Sequence, residues 1–156
     1  MDLQKLAPRD WGKALGLGIA NGVALSVIMV TMARLGVSPL PKPLGLAFAE
    51  TLAGRSLPLP VGLLFHLAYV TFWSMAFVAV FRHSLTLRNA LLLALALWIG
   101  VLVIFFPVVG WGFLGLGVGA QLIPGSFIPH LLFGLFLWGL CGVAFPAPTD
   151  APRDGR

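Results

Sequence analysis

The stretch "ALLLALALWIGVLVIFFPVV", residues 90–109, decides the fold. It runs for about twenty residues without a charge, the length a helix needs to cross about 30 Å of hydrocarbon. It also lacks the alternation of apolar and polar positions that a membrane barrel strand shows. Backbone groups in lipid must bond internally, so a run of this kind predicts a transmembrane helix.

Three further runs have the same character. They are "ALGLGIANGVALSVIMVTMA" (14–33), "VGLLFHLAYVTFWSMAFVAVF" (61–81) and "FIPHLLFGLFLWGLCGVAF" (127–145), none with Asp, Glu, Lys or Arg. The expected fold is an all-α membrane protein with four transmembrane helices, spanning about 14–33, 61–81, 90–109 and 127–145. Residues 1–146 form one domain on this reading, and 147–156 a disordered cytoplasmic tail. Composition agrees. The 156 residues are 59% hydrophobic and 10% charged, where soluble domains carry about 25% charge. Mean hydropathy is +0.99, so lipid is the expected solvent.

The chain is basic, with net charge +5, but its lysines and arginines are scattered. No basic patch interleaved with aromatics points to nucleic acid. Their distribution instead records topology. Lys5, Arg9, Lys13, Arg82, Arg88, Arg153 and Arg156 fall on one side of a four-span chain, and Arg34, Lys42 and Arg55 on the other. The positive-inside rule then predicts both termini in the cytoplasm. The first span is too long for a signal-peptide core, and Met32-Ala33-Arg34 is no cleavage site, so it reads as a retained anchor.

The first connection opens with Pro39, Pro41 and Pro43, an extended polyproline-like spacing. Leu44, Ala47, Phe48, Thr51 and Leu52 then share a helical face, ended by Gly54 and Pro58. This predicts a short amphipathic helix in the first outer loop, lying at the membrane interface. The third connection, 110–126, is glycine-rich and uncharged. It predicts an apolar hairpin with Trp111 at headgroup depth.

Small residues in the first span form two ladders on nearly opposite sides. One holds Gly12, Gly16, Ala20 and Ala24, and the other Ala14, Gly18, Gly22 and Ser26. Small residues let helices approach closely in lipid, so both sides are expected to pack, with Gly134 thinning the last span. Asn21 is expected to bond across to a neighbouring helix, and Ser26 back to its own. Pro107, near the outer end of its span, needs no special role.

The candidate site rests on two histidines. His66 lies near the start of the second span and His130 near the start of the fourth, which differ in depth by only about 3 Å at 1.5 Å per residue. Glu50, Arg34 and Tyr69 belong to the same outer end, so a cluster of His66, His130, Glu50 and Arg34 is geometrically open. Three roles compete: tightening the bundle by bonding backbone or Tyr69, a proton or small-ligand site, and ligation of haem b. Cys141 is the only cysteine, so no cysteine-based metal site is expected. No nucleophile–base pair, phosphate loop or paired carboxylates appear, which predicts a non-enzyme.

The segments "SPLPKP", "LRNALLLALALWIG", "FFPVVG" and "PHLLFGLFLWG", with His66 early in the second span, resemble the YagU-like group of small bacterial inner-membrane proteins. The resemblance implies a four-helix inner-membrane protein of largely uncharacterised function, with an acid-tolerance association, and His66, His130 and Gly134 as family-like features. The outer loops here are shorter than that pattern. The function adopted from the sequence is a structural or accessory subunit of a membrane complex, or a homo-oligomer. The alternatives are a proton-linked small-solute permease or pH-responsive channel, and a haem-binding electron-transfer subunit.

Overall fold

The structure is a computed structural model that describes residues 8–146; the predicted cytoplasmic tail, 147–156, lies outside the described residues. Five principal helices form: α1 (Pro8–Arg34), α2 (Leu44–Ala53), α3 (Leu59–Phe81), α4 (Leu87–Val108) and α5 (Leu122–Ala144). No strand occurs among the described residues. All but α2 are long and apolar enough to cross a membrane, and no more than 28% of any span's apolar window is buried within the protein. The remaining faces, with Val27 61%, Leu64 65% and Phe72 61% exposed, suit a hydrocarbon solvent.

Each helix outruns its predicted span. The largest extensions are at the starts of α1, at Pro8 instead of Ala14, and of α5, at Leu122 instead of Phe127. Pro124 falls in its first turn, where its missing N–H would find no partner in any case. The starts and stops have local causes. Gly54 adopts φ 63° and closes α2 in the left-handed region. Thr86 caps α4, its hydroxyl accepting the Asn89 N–H at 3.3 Å.

The spans form an open ring in the order α3, α1, α5, α4. Helix α1 packs on α3 and α5, and α5 packs on α4, while α3 and α4 scarcely touch although adjacent in sequence. The start of α1 and the ends of α3 and α5 share one end of the bundle. There Lys13 Nζ donates to the Ala144 carbonyl at 2.9 Å, Arg82 pairs with Asp10 at 3.4 Å, and both cations lie over the Phe145 ring. Helix α2 sits at the opposite end.

Only one of the two small-residue ladders packs within the chain. A Cβ on Gly18 would meet the Thr71 Cα at 3.0 Å, and one on Gly22 a Leu67 methyl at 2.7 Å, so this ladder seats α1 on α3. The expectation for Gly16 is corrected: a Cβ there, or on Gly12, meets nothing within 4 Å. The second contact of α1, to α5, is made by larger residues. Asn21, wholly buried, bonds across as expected, its Nδ2 donating to the Phe133 carbonyl at 3.4 Å. Gly134 brings α5 onto α4: a Cβ there would stand 3.1 Å from the Ala94 methyl.

Helix α2 forms where expected, and Ala47 of the predicted stripe is buried, but the buried face is shifted around the helix. Leu52 is 64% exposed, while Ala49, outside the predicted stripe, is 2% exposed. The cause is a glycine crossing with α3. A Cβ on Gly45 would stand 2.6 Å from the Gly62 carbonyl, and one on Gly62 2.6 Å from the Leu46 Cα. Helix α2 is thereby laid across the bundle end and not only along its rim. Trp111 is also corrected: it is 8% exposed, tilted on the Phe106 ring at 5.4 Å, in a second core with Ala47, Leu102 and Leu122. The hairpin folds inward because the Gly117 N–H donates to the Trp111 carbonyl at 3.0 Å and Gly112 and Gly115 take φ 79°.

Candidate functional site: a two-histidine cavity

A cavity of about 210 Å³ lies under α2, where α3 and α4 fail to meet. Each helix lines it with one face. From α3 come Gly62, His66, Tyr69 and Val70, and from α5 Ser126, Pro129, His130 and Phe133, both sets at i, i+3, i+4 and i+7 or close to it. Leu25, Ser26 and Met29 of α1, Leu97, Val101 and Phe105 of α4, and Leu44 and Phe48 of α2 complete the lining.

The α4 wall carries a π-helical turn, Val101–Phe105, in which the Phe106 N–H donates to the Val101 carbonyl. Pro107, one residue on, has no N–H to continue the regular ladder. The wider turn keeps Leu97, Val101 and Phe105, spaced by four, in one column facing the cavity; at 3.6 residues per turn they would drift around the helix.

Both histidines line this one cavity and each has a ring nitrogen engaged. His66 Nδ1 lies 3.0 Å from Ser26 Oγ. His130 Nδ1 lies 2.7 Å from the Ser126 carbonyl. A carbonyl only accepts, so His130 carries its proton on Nδ1, and in the neutral ring Nε2 keeps a lone pair. Ser126 is itself held: Trp98 Nε1 donates to its hydroxyl at 3.1 Å and to the Ile123 carbonyl at 3.3 Å. A chain of contacts thus runs from α4 through Ser126 to His130.

Aromatic rings close the gap between α3 and α4. Phe48 of α2 stands 6.3 Å from Phe65 and 5.3 Å from Phe105, and Tyr69 stands 5.6 Å from Phe105, edge to face.

The structure does not bring Glu50 and Arg34 to the histidines. Glu50 pairs with Lys42 at 2.7 Å and accepts the Leu57 N–H at 3.1 Å, pinning the segment after α2. Arg34 is exposed at the end of α1, and neither residue lines the cavity. The local reason is that Lys42 precedes α2 by two residues, within reach of Glu50 in its second turn, whereas the histidines lie beneath its opposite face. Among the described residues no three His, Cys, Asp or Glu side chains cluster as metal ligands.

Three site residues escaped the sequence reading. Ser26, expected to bond back to its own helix, instead meets His66; Gly18 and Gly22 on the same ladder, which seat α1 on α3, were the signal that could have found it. Ser126 and Trp98 carry no local signal, because their roles depend on α4 lying beside α5. No protein-family model, no curated protein and no solved structure matches the chain.

Proposed function

We propose that this chain is a non-enzymatic, multi-pass protein of the bacterial inner membrane whose cavity receives a small uncharged molecule on His66 and His130. The termini are cytoplasmic on this reading, α2 faces the periplasm, and the cavity lies in the outer leaflet; the distribution of lysine and arginine supports that orientation. The resemblance to the YagU-like group is part of the same proposal.

The observation that carries the proposal is the convergence of two imidazoles, from α3 and α5, on one mostly apolar cavity. Pockets that bind small molecules are mostly apolar with a few converging polar groups. The test is mass analysis of an organic extract of protein purified from native membranes. The expected result is one non-phospholipid molecule per chain, lost from the His66→Phe, His130→Phe double variant. An extract without such a molecule, or one unchanged in the variant, overturns the proposal. A Soret band on the purified protein would put haem b in its place.

A second reading, as a homo-oligomer or an accessory subunit of a larger complex, is favoured by the outward ladder of Gly12, Gly16 and Ala20, which no helix among the described residues covers. Mass photometry in nanodiscs tests it: a single-chain mass without partners overturns it.

A further inference from the structure

The cavity's chemistry narrows its occupant, taking as given the proposed reading of it as a binding site. No charged side chain lines it among the described residues, and an ion placed there would lack a counter-charge. Its volume, about 210 Å³, suits a single ring with a short chain; a dry cavity of about 150 Å³ takes benzene. Phe48, Phe65, Phe105, Tyr69 and Phe133 wall it, and aromatic rings meet best edge to face or offset.

The hydrogen-bonding pattern is asymmetric. His130 is committed: its Nδ1 proton goes to the Ser126 carbonyl, so Nε2 of the neutral ring offers an acceptor. His66 is adjustable, because the Ser26 hydroxyl opposite its Nδ1 can donate or accept by rotating. When Ser26 donates, His66 Nε2 carries a proton. The two imidazoles then present one acceptor and one donor, and a single hydroxyl oxygen satisfies both. A ketone or ether oxygen could take only the His66 proton and would leave His130 Nε2 without a donor.

We infer that the occupant is an uncharged phenol, a single hydroxylated ring with a short alkyl substituent, which donates its proton to His130 Nε2. The ring lies against the phenylalanines and the hydroxyl lies between the two imidazoles.

The experiment is titration calorimetry on the full chain in nanodiscs, with empty discs as blank. The probes are 4-propylphenol, 4-propylanisole and propylbenzene. The expected result is that 4-propylphenol binds about ten-fold tighter than the anisole, which has the same ring but no donor, the worth of about one hydrogen bond. In His130→Phe the preference falls to near unity, and His130→Gln, whose amide oxygen accepts, recovers part of it. Should His130→Phe fail to fold, the wild-type preference and the glutamine variant still decide. Equal binding of phenol and anisole to wild type overturns the inference and leaves the cavity reading standing. So does binding of no probe when the membrane extract still yields a histidine-dependent molecule. No probe bound and an empty extract overturn both.

Discussion

At the scale of single residues, the polar groups in the apolar interior divide into those with partners and those without. Trp98 is in the first class, with two acceptors on α5. Trp98→Phe keeps most of the ring but deletes the donor. It is expected to cost about 1 kcal/mol in detergent unfolding and to weaken the hold on His130. Ser74 is in the second class: fully buried, with an Oγ that has no partner among the described residues. Ser74→Ala is therefore expected to be neutral or slightly stabilising by the same measurement, since it removes a desolvated group that bonds nothing. The Glu50 carboxyl is held below its ordinary 4.5, first by the Lys42 hydrogen bond and then by the Leu57 N–H. A lowered carboxyl pKa gives stability that is present at neutral pH and lost as pH falls through the folded value. The protection factor of the Leu57 amide, its exchange relative to the intrinsic rate at each pH, should fall as pH drops through the lowered folded value of Glu50, and Glu50→Gln should blunt that response.

At the scale of elements, helix contacts turn on which glycines are covered. Gly18→Ala drives a methyl toward Thr71 backbone atoms at 3.0 and 3.1 Å, and backbone cannot swing aside as a side chain can. A loss of about 1–3 kcal/mol is expected. Gly16→Ala, in open space, should instead stabilise α1 by up to about 1 kcal/mol through helix propensity. Paired unfolding curves check the contrast. A Gly16→Ala variant that lost stability only when assembled would place a partner on that face. The π turn makes the same point from the side of function. Pro107 looks innocuous in sequence, near a helix end, yet it follows directly on the distortion that keeps Val101 and Phe105 on the cavity wall.

At the scale of the whole molecule, the open ring α3–α1–α5–α4 sets the site. A closed four-helix bundle would have filled the space between α3 and α4. Here that space is roofed by α2 and bridged by aromatic rings. The proposed orientation predicts that cysteine at position 55, beyond α2, reacts in intact cells with a membrane-impermeant thiol reagent. Cysteine at position 88 should react only after permeabilisation. The native Cys141 is 1% exposed and should stay silent in both. Labelling of position 88 from outside would invert the topology and move the cavity to the inner leaflet.

The helices themselves were legible because lipid imposes a local rule: about twenty uncharged apolar residues suffice, whatever surrounds them. The expectation that His66 and His130 differ in depth by only about 3 Å came from the same arithmetic, and the bond from Asn21 to a neighbouring span from the cost of an unpaired amide in hydrocarbon. What the sequence by itself could not determine was which helix stands beside which. Two small-residue ladders looked equally fit to pack, and only one was used. Glu50 and Arg34 were at the right end of the bundle but on the wrong side of α2. Tertiary structure decided these matters because contact across helices depends on rotation and neighbour order, which hydropathy does not encode. It decided, too, that two histidines sixty-four positions apart would share one cavity: α3 and α4 part, α2 crosses over them on paired glycines, and the space between stays open.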